Sequence, residues 1–505
     1  MKNKIYSLKN LAKILQKDKS RSKKIALCHG VFDLLHVGHI KHLETAKKLA
    51  DKLVVTLTAD KFVNKGPGRP VFNETLRSEA IAALEAVDYV AINDSSTAVN
   101  PIKIIKPNVY CKGKDYKNPK DDITGEIKNE INAVKKNKGQ VVYTQELTFS
   151  SSRLINRSTN FYSDNQRRII RKINRSTDFK KIKTDIDNFK KLKILVIGET
   201  IIDQYNFCEV IGKSGKEPML VLKDVRQDQY LGGVLGIARN LSQLSKKITV
   251  ISMIGENKNH FDDIKKNLPK NIRNRLIFKE KSPTIVKKRY LDNLSNNKII
   301  GIYDINDEIL TAKDEKKFHN IINREIKKHD LVIVSDYGHG LISKKSANLI
   351  CKKSKFLALN AQVNASNIGY HTIRNYKNFN TLIINEKEIR HETRDKISKL
   401  EVLIINMAKE KNIQNLVVTK GKSGSMLYCK KKFYYSDAYA HKIVDKVGAG
   451  DTMLSLIGPC LKSNIDKNIT LLISSIAAAQ SVETIGNKET IKKLNMLKTL
   501  ENMLK

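Results

Sequence analysis

The chain has 505 residues, too many for one hydrophobic core, so two or three domains are expected. Its 93 Lys and Arg against 52 Asp and Glu give a net charge of +41, yet the lysines run along the whole chain between Asn and Ile instead of gathering in one tail. That spread argues against nucleic-acid binding, and the lack of any apolar run of about 18 residues argues against a membrane span. The six cysteines are far apart with no Cys-x-x-Cys pair, which speaks against a zinc site or a disulfide scaffold. The N-terminus has no apolar core of a secretory signal, so a cytoplasmic protein with reduced thiols is expected.

In chain order, the first run of buried-strand length is 24–28, leading into Gly30-Val31-Phe32-Asp33 and His36-Val37-Gly38-His39. A helical face (Ile40, Leu43, Ala46, Ala50) and a second strand at 53–58 follow. Strand, glycine turn, helix and strand make a βαβ unit, hence a parallel sheet. Further strands are expected at 87–92, 108–111 and 140–144. His36 and His39 sit at the mouth of the turn, where two imidazoles can donate to phosphate oxygens as charge builds up at phosphorus. Gly38 lets the backbone come close. A metal pair is the rival reading, but no carboxylate or Cys is arranged around them.

These residues resemble the signature of the cytidylyltransferase-like nucleotidyltransferases, and later stretches match the same family in order. They are Gly68-Arg69-Pro70 with Arg77, Lys112-Gly113-Lys114-Asp115-Tyr116, and Phe149-Ser150-Ser151-Ser152-Arg153. The last reads as a hydroxyl-rich helix start suited to β- and γ-phosphates. The resemblance implies a Rossmann-like domain over 1–157 with His36 and His39 catalytic. It implies nucleotide contacts from Gly30, Phe32, Asp33, Gly38, Arg77, Lys112, Gly113, Asp115, Ser150, Ser151, Ser152 and Arg153. The implied reaction is attack of a sugar-1-phosphate oxygen on the α-phosphorus of ATP or CTP, releasing pyrophosphate without a covalent intermediate. The motifs leave the two nucleotides open, with ATP expected.

Residues 158–190 are polar and basic, with no glycine or proline, and read as a helical connector packing through Ile169, Ile170 and Ile173. A helix lying on an anionic membrane is the alternative, but its apolar face is thin.

From 191 to 505 a strand at 192–198 is followed by Asp203, β segments at 218–225 and 285–302, and a helix opening at Gly232-Gly233. Strands recur at 331–334, 356–359, 382–384 and 416–419, mostly alternating with helices. That is a doubly wound α/β sheet with an added β layer. Asp445-Lys446-Val447-Gly448-Ala449-Gly450-Asp451-Thr452 closes the region as a glycine turn into an apolar helix. Amides in such a turn form an anion site, and Asp451 stands where it can take a proton from an attacking hydroxyl.

This region resembles the ribokinase-like (PfkB) sugar kinases through Asp203, Leu231-Gly232-Gly233, Asn240, Ser335-Asp336-Tyr337-Gly338, Asn385-Glu386-x-Glu388, Thr419-Lys420-Gly421 and the closing turn. The resemblance implies that Asp203, Gly232, Gly233, Asn240 and Asp336 hold the sugar. Asn385, Glu388, Thr419 and Gly421 would bind ATP, with Glu388 acting indirectly on Mg²⁺. Gly448, Ala449 and Gly450 would form the anion hole, with Asp451 as base. Both halves look most like the bifunctional heptose-phosphate kinase/adenylyltransferases, although here the transferase comes first, the reverse of the usual fusion. That resemblance implies a homodimer using sugar phosphate and nucleoside triphosphate to make a nucleotide sugar for surface polysaccharide. Three departures stand out: Gly236 where the sugar-kinase pattern has asparagine, Asn360-Ala361-Gln362 for Asp-Pro-Lys, and Lys446 for a small residue.

Overall fold

The computed structural model describes residues 4–66, 68–118, 122–144 and 162–505. The chain divides into two compact units, residues 1–170 together with 494–505, and residues 171–493.

In the first unit, β1 (Ile25–Gly30), β2 (Lys52–Thr58), β3 (Tyr89–Asn93), β4 (Val109–Gly113) and β5 (Gln140–Thr144) form a parallel sheet ordered β3-β2-β1-β4-β5 among the described residues. Leu53, Val54, Val55 and Leu57 are fully buried, as expected for a sheet covered on both faces. The strand order reverses between β1 and β4, which brings the carboxyl ends Gly30 and Gly113 to one crevice. The helix Val37–Lys48 opens at that crevice, so His36 and His39 are carried there by topology.

In the second unit, β6 (Lys193–Gly198), β7 (Thr200–Lys213), β8 (Leu220–Gly233), β9 (Lys247–Gly255), β10 (Ile272–Lys279), β11 (Val286–Asp292) and β12 (Lys298–Asp304) come first. β13 (Leu331–Asp336), β14 (Leu357–Ala361), β15 (Thr381–Asn385), β16 (Asn415–Thr419), β17 (Ser425–Cys429) and β18 (Lys432–Ser436) follow. The large sheet runs β10-β9-β6-β13-β14-β15-β16-β17-β18, parallel as far as β16 and antiparallel at its last edge. A separate sheet, β12-β11-β7-β8, is the added β layer.

The structure departs from the expected strands in three places. Asp203 does follow the strand β6, but it lies inside a further strand, β7, because Thr200 to Lys213 is one continuous strand of the small sheet. The stretch 285–302 is a hairpin, β11 and β12, turned at Ser295 and Asn296. β9 and β10 at one edge and β17 and β18 at the other, which no expected strand covered, extend the large sheet. The helix Ala449–Lys462 packs its Gly458 against Ile333 and Ala358, which sets its first turn at the carboxyl ends of the central strands.

Candidate active sites

In the first unit, the chain leaves β1 through Phe32, which has φ of 48°, and the Phe32 ring sits 5.2 Å from His39, edge to face. His36 is the N-cap residue of the helix Val37–Lys48, and its carbonyl accepts from the His39 amide at 2.8 Å. The two imidazoles stack with centroids 3.9 Å apart and planes 20° apart. Burial lowers the pKa of both rings, and in His39 the neighbouring His36 and Lys65 carry it to about 3. The pair is therefore neutral at ordinary pH, and each ring keeps one N–H to give to an anion.

Lys65, which no motif indicated, is charged close to both rings. Burial and then Arg69 lower its own pKa to about 8. Its signal in the sequence was weak, one lysine among many beside Gly66 and Pro67.

Other predicted transferase residues serve the loops. Asp33 is buried and accepts from Arg69 at 2.5 Å and from the Val71 amide at 2.6 Å. Arg77 is fully buried and gives its hydrogens to the carbonyls of Phe72, Val31 and Thr58 and to Asp60. Its guanidinium thus ties the turn after β1 to the loop after β2. Lys112 pairs with Glu130 at 3.0 Å and lies 4.7 Å over the Tyr116 ring; burial opposes its charge, but Tyr110 and Glu130 hold the pKa above the ordinary value. Gly38 is buried, Gly30 and Gly113 end their strands, and Asp115 falls in the short turn Lys114–Tyr116. Ser150, Ser151, Ser152 and Arg153 lie outside the described residues.

The second unit contains a cavity of about 340 Å³ lined by Asp203, Gly233, Asn385, Glu388, Thr419, Gly448, Gly450 and Asp451. Lys287, Arg289, Tyr337, Gln362, Lys446 and Asn487 line it as well. Gly448 has φ of 86° and starts the helix whose first turn holds Asp451, so amides of that turn open beside the carboxylate, the Ala449 amide also reaching the Lys446 carbonyl at 3.4 Å. Tyr337 donates to Asp451 Oδ1 at 2.8 Å. Burial raises the Asp451 pKa to about 7, with Asp203 adding to it and the Tyr337 bond opposing. A carboxylate with that pKa is suited to accept a hydroxyl proton near neutrality.

Asp203 is buried, bonded to Arg289 at 2.7 Å and to the Asn487 amide at 3.0 Å. Gly232 is obligatory there, since a Cβ would lie 2.1 Å from Asp203 Oδ2. Lys287 is buried without a carboxylate at bonding distance among the described residues, and burial lowers its pKa. Asn385 caps its helix and Glu388 completes a capping box. Burial raises Glu388 to about 7 even though the Asn385 and Val363 amides donate to it.

Five predicted kinase residues, Gly232, Asn240, Asp336, Gly421 and Ala449, do not line the cavity. Asn240 bonds to Thr452 and to the Ile491 amide, and so clips helices together. Asp336 gives its oxygens to Tyr376 at 2.6 Å and to the Gly338 amide at 3.1 Å. Gly421 has φ of 57° in the turn Gly421–Ser423. Glu199, missed in the sequence as an ordinary strand-end residue, is buried and accepts from the Tyr337 and His339 amides. It holds the loop that aims Tyr337 at Asp451.

Among the described residues no group of three or more His, Cys, Asp and Glu side chains is placed to hold a metal ion. A single hard carboxylate such as Glu388 still suits Mg²⁺, which is usually held by one or two carboxylates, water and nucleotide phosphates.

Comparison with known proteins agrees with this geometry. The model of the pfkB family carbohydrate kinases matches residues 191–494, and the cytidylyltransferase-like model matches residues 27–158. The chain is 46% identical over 115 residues to the bifunctional protein HldE of Geobacter metallireducens, covering 22% of this chain and 24% of that one. It is 24% identical over 302 residues to the HldE protein of Campylobacter jejuni, covering 59% and 62%. Both alignments thus span less than two thirds of the relative. Escherichia coli phosphofructokinase-2, solved in complex with potassium, shares the fold with a TM-score of 0.51 at 13% identity, over 62% of this chain and all of that one. The chain belongs to the pfkB family of carbohydrate kinases and carries a cytidylyltransferase-like domain ahead of the kinase domain.

Proposed function

We propose that the chain is a bifunctional enzyme that makes an activated nucleotide sugar. The second unit transfers the γ-phosphoryl group of ATP to a hydroxyl of a sugar phosphate. The first unit joins a sugar-1-phosphate to the nucleoside monophosphate part of ATP and releases pyrophosphate. The functional parts fall within 1–157 and 191–505, with 158–190 between them. The resemblance of both halves to the heptose-phosphate kinase/adenylyltransferases favours a heptose phosphate as the sugar and an ADP-heptose-like product for surface polysaccharide, and the relatives' name, bifunctional protein HldE, accords with two activities in one chain.

In the kinase step, Asp203 holds sugar hydroxyls and Asp451 takes the proton of the attacking one. The amides at Gly448, Ala449 and Gly450 meet the transferred phosphoryl group, while Asn385, Glu388 and Thr419 order the nucleotide and its Mg²⁺. In the transferase step, His36 and His39 donate to the phosphates of the nucleotide and Lys65 adds positive charge. The observation that carries the reading is Asp451 at the mouth of an amide-rich turn, with Asp203, Lys287 and Arg289 lining the same cavity.

A homodimer through the small sheet is part of this reading, because that sheet exposes Ile211, Leu220 and Ile300 and its β7–β8 turn exposes Met219, each more than half accessible. Gly236 and Asn360 favour a second reading, in which the transferase uses CTP and the kinase half binds a different sugar or only senses it. A panel of sugar phosphates with ATP or CTP, following ADP and pyrophosphate separately, tests the two. ADP with one sugar phosphate and pyrophosphate with its 1-phosphate support the proposal; pyrophosphate only with CTP, and no ADP, supports the second reading.

A further inference from the structure

Asn487 lies in the loop between the helices Lys467–Val482 and Lys493–Met503, outside every motif of the sequence. Its side-chain nitrogen donates to Asp203 Oδ2 at 3.0 Å, and its backbone carbonyl accepts from Arg239 at 2.9 Å. A carboxylate only accepts, so the amide is held with its nitrogen toward Asp203. The side chain is enclosed by glycines. A Cβ on Gly448 would lie 2.3 Å from Asn487 Oδ1, one on Gly232 3.2 Å from Nδ2, and one on Gly236 3.4 Å from Oδ1 and Cγ.

Gly236 is the position at which the sugar-kinase pattern has asparagine. Its missing side chain leaves room against Asn487, whose amide reaches Asp203 from a distant part of the chain. We propose that Asn487 stands in for the missing asparagine as a positioning residue for the acceptor sugar. Arg289 holds one oxygen of Asp203 at 2.7 Å and Asn487 holds the other, so the carboxylate cannot rotate and its remaining lone pairs point to fixed places in the cavity. Sugar hydroxyls meet that fixed carboxylate. Because Asn487 Oδ1 also lies over Gly448, the same side chain joins the sugar-holding carboxylate to the turn that opens beside Asp451. Gly236 and Asn487 are thus one coupled pair, and an asparagine restored at 236 competes with Asn487 for the same space.

The inference rests on the kinase reading of this cavity, and full-chain kinetics with ATP and a sugar phosphate separate the two. Asn487→Ala is expected to raise KM for the sugar about tenfold or more, with KM for ATP and pyrophosphate release unchanged. Gly236→Asn alone is expected to impair sugar binding and lower the Tm, whereas Gly236→Asn in the Asn487→Ala background restores the sugar KM toward wild type. A folded Asn487→Ala with wild-type sugar KM and kcat, or Gly236→Asn equally costly with and without Asn487, overturns the inference alone. A wild-type chain that forms no ADP with any sugar phosphate overturns the kinase reading and this inference with it.

Discussion

Lys298 on β12 donates to Asp445 Oδ1 at 2.5 Å, while Tyr205 on β7 donates to Oδ2 at 2.8 Å. The first residue of the glycine-turn motif therefore fastens the small sheet to the turn that opens beside Asp451. The Gly486 and Val447 amides also donate to this carboxylate. Burial pushes the Asp445 pKa up, but Lys298, Tyr205 and the Val447 amide outweigh it and hold it below the ordinary value. Asp445→Asn is expected to lower the Tm at neutral pH and raise KM for the sugar. A depressed carboxylate stabilises the fold above its unfolded pKa, near 4, and loses that contribution as pH falls further. The Tm gap between wild type and variant should therefore close below about pH 4, which melting curves across pH will show.

The two activities should respond to pH in opposite ways. Asp451 and Glu388 are raised to about 7, so kinase kcat/KM should fall as pH drops below 7 and the base protonates. An ordinary histidine would titrate near 6.5, but His39 at about 3 stays neutral there, so transferase kcat/KM should be flat across that range. It should instead decline above about 8, where Lys65 loses its charge. A transferase profile with a histidine step at about 6.5 would contradict the buried, neutral pair.

Much of this was legible in the sequence. The βαβ opening, His36 with His39, and the glycine turn with Asp451 are local motifs whose spacing survives in any fold of that class. The small sheet was harder to read because β7 and β8 are each 14 residues long and pass from core to solvent, so neither has one hydrophobic period. β10 begins Ile272-Arg273-Asn274-Arg275, too polar to read as a strand until β9 pairs with it. Asn487 and Glu199 were missed for a different reason. Each acts through a residue far away in the chain, Asp203 for the first and Tyr337 for the second, and no local pattern marks them.

Arg77 is the sharpest contrast between motif and structure. Family likeness makes it a nucleotide contact, but its guanidinium is fully buried among protein acceptors. Arg77→Lys keeps the charge and loses the fork, and is expected to destabilise the fold by about 3 kcal/mol, since buried acceptors lose their donors. Melting curves with and without nucleotide check it. A variant of wild-type stability whose only defect is a raised nucleotide KM would return Arg77 to the phosphates.

Asp451 should also trade stability for activity. Its raised pKa means the folded chain binds the proton more tightly than the unfolded one, so ionising it costs stability as pH rises from about 4 toward 7. Asp451→Asn should thus melt higher than wild type at pH 8, with the difference gone below about pH 4. Equal melting temperatures at both pH values would contradict the buried carboxylate.

The central claim is that two chemically independent phosphate sites share one polypeptide, and a paired assay of two variants tests it most directly. ADP formation and pyrophosphate release are measured in parallel on Asp451→Asn and His39→Ala. Asp451→Asn should lose ADP formation by about 10²-fold or more with pyrophosphate release intact, and His39→Ala should do the reverse. If either folded variant loses both activities together, the two-site account is wrong.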